Sequence, residues 1–261
     1  MIYDSHAYLG NNPVWSDIGL NLPFDGDEWV KLLDRVGIDG VLTAPPGIGA
    51  DEDFIPDMDI ISEAVKRYPD RIFGFARINP RKGDMALNEL RKRVEDQGFK
   101  ALKMNTLDGN YTLDDKGLLY PVIETAANLK IPVFFHTGDY SFPTCTPSMV
   151  SSIAKDFSQV NFIIGHMGFG GVNGFPGSTE ELIPCMKSSQ NLFTETAGVF
   201  KAEFIQDVVD SIGADRVLLG SNGPYSPNEL PKIMIGKHMN KLTDTEKSLI
   251  LGGNFLRVFN I

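Results

Sequence analysis

The chain has 261 residues, 42% hydrophobic and 22% charged, with a formal net charge of −10 at pH 7. A chain of this length and mix buries a large core without disulfide or metal staples. Its acidic balance, with a pI near 4.9, argues against nucleic acid and anionic membrane surfaces, which are gripped by clustered Lys and Arg. The two cysteines, Cys145 and Cys185, lack C-x-x-C spacing and form no disulfide framework. No basic segment runs into an apolar one at the start, and no apolar run is long enough to span a bilayer. A reduced, cytoplasmic setting is the expectation.

Short apolar runs alternate with amphipathic stretches along the chain. The runs are IYDSHAY (2–8), GVLTA (40–44), IFGFARI (72–78), KALKMN (100–105), PVFFHTG (132–138), NFIIGHMG (161–168), NLFTETAG (191–198) and RVLLGSNG (216–223). Most are rich in Val, Ile, Leu and Phe without strict alternation, as in strands covered on both faces. Between them, 27–37, 85–98, 118–130 and 202–213 carry apolar residues at helical spacings, and Gly37, Gly98 and Gly213 stand where helices would stop. This order predicts an α/β fold, a (β/α)8 TIM barrel, as one domain over 1–261. An open doubly wound sheet would want a Gly-rich phosphate turn after the first strand, and DSHAYLGNNP is not one. The glycine-rich stretch 168–177 lacks the GK[ST] ending of a P-loop and reads as a loop over a site. Segments 45–59 and 106–117 read as insertions after strand C-termini, where barrel enzymes build their sites.

Three of the four histidines, His6, His136 and His166, fall at or near the ends of predicted strands, while His238 follows a helical stretch and reads as a surface residue. Three neutral imidazoles with an open position suit a catalytic divalent ion such as zinc, which lowers the pKa of bound water to about 7. Hydrogen-bonded histidines without a metal fit the same spacing. Asp4, two residues before His6, shares its face in a regular strand and would orient a histidine ring.

At these residues the chain resembles the amidohydrolase superfamily, in the amidohydrolase-related branch that includes aminocarboxymuconate-semialdehyde decarboxylase and pyrone-dicarboxylate lactonase. MIYDSHAY resembles the family's opening D-x-H-x-H strand, RIFGFARINP and GFKALKMN its third and fourth, IPVFFHTG and NFIIGHMG its histidine strands, DRVLLGSNGP its closing G-S/T-D-x-P strand and GGNFLRVFNI its terminal helix. The resemblance implies ligand positions at His6 and His136 and a metal or substrate contact at His166. Two positions depart from the pattern. Tyr8 stands at the second histidine and Asn222 at the acidic residue that binds metal and moves protons. Asn222 takes no proton at ordinary pH, and a phenol ligates only when ionised, against a reference pKa of about 10. The resemblance therefore implies a depleted, mononuclear site or a metal-free one. Asn222 precedes Gly223, a pair that suits a tight turn and is prone to deamidation.

Arg77 and Lys103, charges inside buried-strand patterns, are candidates to bind a substrate carboxylate, with Tyr8 beside them. Asp139 and Glu195 are the candidate bases if Asn222 is not; strict alternation puts Glu195 on the face of Phe193 and Ala197, pointing away from the mouth. Trp15, Phe24, Phe142 and Phe169 are candidates to line an apolar pocket. The expected activity is a hydrolase or carbon–carbon lyase acting on a small carboxylated substrate. His136, His166 and Asn222 are placed at the chemistry, and His6, His136 and His166 on one divalent ion, zinc by donor type. The alternatives are a metal-free lactonase-like enzyme and a non-catalytic binding protein on the same scaffold. An assembly of identical chains stays open.

Overall fold

The computed structural model describes residues 1–11, 25–47, 53–106, 110–137, 145–169 and 179–261. Trp15, Phe24, Asp139, Phe142 and the glycine-rich stretch beyond Phe169 lie outside the described residues.

Eight parallel strands follow one another around a barrel in chain order. They are β1 Tyr3–Tyr8, β2 Gly40–Ala44, β3 Ile72–Arg77, β4 Ala101–Met104, β5 Val133–Phe135, β6 Phe162–Ile164, β7 Leu192–Glu195 and β8 Val217–Leu218. The last strand returns to the first through the Ser5 N–H on the Leu219 carbonyl and the Tyr8 N–H on the Gly223 carbonyl, both 2.8 Å. The chain is thus a single (β/α)8 TIM barrel. Helices cover the outside. Asp25 accepts from the Glu28 amide and Gly37 closes Gly26–Val36 at φ 66°, an ordinary glycine C-cap.

Three helices of ten or more residues, Ile55–Arg67, Pro147–Asp156 and Thr179–Ser188, arise where the sequence pattern assigns none. Ile55–Arg67 begins inside the segment read as an insertion, with Pro56 in its first turn and Met58, Ile61 and Ala64 buried. Pro147–Asp156 is capped by Thr146. Proline is at home in a first turn because its missing N–H has no partner there anyway. The later strands are also shorter than their apolar runs. β5, β6 and β8 stop at Phe135, Ile164 and Leu218, and beyond β6 and β8 the chain turns sharply. His166 and Met167 take φ of 55° and 52°, and Asn222 takes 62°, a left-handed backbone that no strand accommodates.

The core has two parts. The larger lies between strands and helices, and half-buried Phe169 packs against it. The smaller fills the lumen with Phe73, Phe75, Ala101, Phe134, Phe193 and Leu218, and its lower end is closed by Phe255, Val258 and Phe259 of the terminal helix Asn254–Phe259. Tyr3 stacks on Phe255 at 4.9 Å and 12°. Cys145 and Cys185 are buried free thiols. No helix among the described residues is long and apolar enough to cross a membrane.

Candidate active site

Successive residues of a strand alternate faces, so each lumen-facing row can be followed upward. On β3 it runs Phe73, Phe75, Arg77; on β4 Ala101, Lys103; on β5 and just past it Phe134, His136; on β7 Phe193, Glu195. Every row is apolar below and ends in a charged or titratable group at the C-terminal end. Tyr3 and Tyr8 are an odd number of residues apart yet both pack in the lumen. A register irregularity of β1 between Asp4 and Ala7 accounts for this, since one extra residue reverses the alternation.

His6 is wholly buried, and both of its ring nitrogens are engaged. Nδ1 lies 3.2 Å from Glu195 Oε1, and Nε2 lies 2.5 Å from Lys103 Nζ and 3.3 Å from the Tyr8 hydroxyl. Lys103 also donates to that hydroxyl at 2.7 Å and lies 4.0 Å from the centre of the Tyr8 ring. His166 Nδ1 lies 2.8 Å from the Ala197 carbonyl and its Nε2 lies 3.1 Å from His136 Nδ1. Glu195 accepts the His166 N–H at 2.6 Å on Oε1 and the Ala197 N–H on Oε2. The three histidines therefore meet at one mouth, as expected, with His6 and His166 linked through Glu195 and His136 set directly against His166. His238 is exposed at the end of a surface helix, apart from them.

Glu195 is the correction. It points into the site, because the face it shares with Phe193 is the lumen face, and at the top of a strand that face is the mouth. Gly220 makes room for it, since a Cβ there would collide with Glu195 Oε2. Asp4 is a second correction, for it reaches no imidazole. Its carboxylate accepts the His6 N–H at 3.1 Å, the Ser221 N–H at 3.0 Å, the Ser221 hydroxyl and the Asn228 amide, and so ties β1 to the segment after β8. Asn222 forms the tight turn, donating its N–H to the His6 carbonyl at 2.8 Å, while its side-chain oxygen is buried with no partner among the described residues. Arg77 pairs in register with Lys103. Its guanidinium is buried, donating to the Pro45 and Gly47 carbonyls at 2.6 and 3.1 Å and lying over the Phe54 ring.

Burial sets the charges of the array. It pushes the His166 ring down to about 4 and holds His6 and His136 well below the usual imidazole range, with the neighbouring cation Lys103 adding to it for His6 and His166 adding to it for His136. All three rings are neutral at pH 7. Burial, with Arg77 behind it, lowers the Lys103 amine. It also pushes Glu195 up to about 8, against the pull of two backbone N–H groups, and Tyr8 up to about 12. Tyr8 is thus a neutral phenol.

His6, His166 and Glu195 bring three ligand atoms within 4.8 Å of one another, a grouping able to hold a metal ion. His136 is not in that set; it stands behind His166. The arrangement does not fit a divalent ion as it stands. Lys103 Nζ stands against His6 Nε2 and Glu195 against Nδ1; with the amine donating to Nε2 the ring proton sits on Nδ1, and in that tautomer neither nitrogen offers a free lone pair. Both oxygens of Glu195 are taken by N–H groups.

The family model described as Amidohydrolase (Amidohydro_2) matches residues 36–261. The chain belongs to the amidohydrolase family. A gamma-resorcylate decarboxylase from Polaromonas sp. (strain JS666) is 23% identical over 279 residues, 86% of this chain and 84% of that protein. A 2-amino-3-carboxymuconate-6-semialdehyde decarboxylase from Dictyostelium discoideum is 22% identical over 235 residues, 78% of this chain and 65% of that one. Among solved structures, 5-carboxyvanillate decarboxylase from Sphingomonas paucimobilis superposes with a TM-score of 0.78 at 16% identity, covering 100% of this chain and 99% of its own. A dihydroxybenzoic acid decarboxylase from Polaromonas sp. JS666, solved with manganese and the inhibitor 2-nitroresorcinol, gives 0.74 at 17%, with 99% and 96% covered. At such identities the structures show the shared barrel.

The Asp4–Ser221–Asn228 tie and the role of Gly220 escaped the sequence reading, since hydroxyl and amide partners more than 200 residues apart leave no local pattern. Glu195 did leave one. A carboxylate inside the buried run LFTE needs a partner.

Proposed function

We propose that this amidohydrolase-family protein is a decarboxylase of a small carboxylated substrate, aromatic or dienoic, bound at the C-terminal mouth of the barrel. The observation that carries the reading is a buried amine, Lys103, set against neutral imidazoles at one barrel end, in a chain whose curated relatives are decarboxylases. Lys103 and the field of Arg77 favour an anionic substrate. Arg77, expected to clamp a carboxylate as a fork, has two of its donors on backbone carbonyls, so in this reading its charge acts at a distance and Lys103 supplies the nearer N–H groups. Tyr8 offers a neutral hydroxyl to an anionic oxygen and Asn222 its side-chain amide.

In the reaction the carbon–carboxylate bond breaks and carbon dioxide leaves. The electron pair left on carbon takes a proton passed through the His136–His166 pair, so that RCOO⁻ and H⁺ become RH and CO₂. Asn222 cannot supply that proton, which leaves the imidazoles, and Glu195, which holds its proton to about pH 8, as the reservoir. A zinc or manganese ion on the histidines needs Lys103 off His6 first. The protein is read as cytoplasmic.

The test is a panel of small carboxylates assayed with purified protein: 2,6-dihydroxybenzoate, 5-carboxyvanillate, an amino-carboxymuconate semialdehyde and a dicarboxylate lactone. Carbon dioxide release from one of the first three is the expected result. Ring opening of the lactone without carbon dioxide would instead make the protein a hydrolase, and no turnover of any of the four would favour a binding protein.

A further inference from the structure

We infer that the Lys103 side chain is a built-in replacement for a metal ion, one that bars a divalent cation from the His6–His166–Glu195 cluster. The inference concerns only what stands beside His6, so it holds or fails separately from the decarboxylase reading.

The argument is geometric. The three residues are the one grouping among the described residues with metal-ligand spacing, and all three are buried. An imidazole binds a metal through a lone pair, and a neutral ring has only one. Lys103 Nζ stands 2.5 Å from His6 Nε2 and also donates to the Tyr8 hydroxyl. An amine with its hydrogens turned to Nε2 takes that lone pair and leaves the ring proton on Nδ1. Nδ1 then donates to Glu195 Oε1, 3.2 Å away. An ion between His6 Nδ1 and Glu195 would force the proton onto Nε2, against the Lys103 donor. An ion at Nε2 would take the place of Nζ itself. Lys103 thus blocks both nitrogens of His6 through one contact.

The surroundings hold the amine in place. Nζ lies 4.0 Å from the centre of the Tyr8 ring and 5.2 Å from that of Phe134, aromatic faces that attract a cation. The register of β4 delivers Lys103 here, because it follows Ala101 on the lumen face and is 1% exposed. Asn222 and Tyr8 complete the picture. Neither carries the negative charge that helps hold a dication, and neither is needed where the cation is covalently part of the chain.

Calorimetric titration with Zn²⁺ and with Mn²⁺, after dialysis against chelator, tests this on the wild-type protein, on His6→Gln and on Lys103→Met. The wild type is expected to take up no ion that depends on His6: either no stoichiometric binding, or binding left unchanged in His6→Gln. Lys103→Met is expected to gain about one equivalent of Zn²⁺ at micromolar or tighter affinity. One equivalent bound by the wild type and lost in His6→Gln overturns the inference without reference to any variant at Lys103. A folded Lys103→Met protein that gains no ion also overturns it. If Lys103→Met does not fold, the wild-type and His6→Gln titrations decide alone.

Discussion

The two ends of the barrel lumen are built from the same strands and solve opposite problems. At the lower end Tyr3, Phe73, Phe255 and Phe259 interlock, with ring centroids 4.9–6.4 Å apart, and the terminal helix closes the bottom. At the upper end His6, Lys103, His136, His166 and Glu195 fill the same tube with groups that desolvation penalises. The lower end adds stability through apolar burial. The upper end gives some of it up, as functional sites do. A third region, the Asp4–Ser221–Asn228 tie, is as polar and as buried as the upper end, but its Ser221 and Asn228 donors meet the Asp4 carboxylate or the Ser221 hydroxyl. Buried polarity alone therefore does not mark a site, and neither does a shifted carboxyl, since burial pushes Asp4 up to about 6 as well; the upper end differs in setting histidines, a lysine and a glutamate against one another.

Substitutions should separate these regions. Once a substrate is in hand, His136→Ala is expected to lower kcat by about 10²–10⁴-fold, the usual worth of a proton-transfer group, with the melting temperature little changed. An equal loss of rate and of folded protein would place His136 among the structural groups. Phe255→Ala should do the reverse. It should cost about 3–5 kcal/mol in urea unfolding while the folded fraction keeps its rate. A folded Phe255→Ala protein with a hundredfold lower rate would show that the two ends are coupled.

Asp4→Ala strands the His6 and Ser221 amides and is expected to cost about 2–4 kcal/mol, again with catalysis lost only in proportion to unfolding. Glu195 adds a pH signature. Its carboxyl, pushed up to about 8 in the fold, keeps its proton where the unfolded chain has released it. The folded state then binds more protons, so this group's contribution is fully present below about pH 4 and is lost as pH rises toward 8. Relative to Glu195→Gln, the wild type should lose a few kcal/mol of stability between pH 5 and pH 8; parallel stability curves for the two would mean that Glu195 is ionised throughout. The smallest effect belongs to His238→Ala, expected within about 0.5 kcal/mol of wild type and without change in rate.

Much of this was legible in the sequence. The eight strands fall inside their apolar runs, because strands of a parallel barrel are buried on both faces and advertise it. The histidines could be placed at one mouth because each lies toward the end of such a run. What alternation could not supply was height. Phe193 and Glu195 share a face, and that face is core at one level and active-site mouth one step above. Nor could a pattern show the irregularity in β1, which turns Asp4 toward Ser221 and leaves His6 and Tyr8 facing Lys103. The ends of β6 and β8 were overrun because left-handed residues at His166 and Asn222 sit in runs whose composition still reads as strand.

The most direct measurement follows carbon dioxide released from carboxyl-¹³C-labelled 2,6-dihydroxybenzoate, 5-carboxyvanillate and an amino-carboxymuconate semialdehyde by the wild type and by His136→Ala. Labelled carbon dioxide from the wild type, reduced at least a hundredfold in a folded His136→Ala protein, is the predicted result. Release that persists undiminished in the variant, or its absence from both proteins, would contradict the placing of a decarboxylation site at the upper end of the barrel.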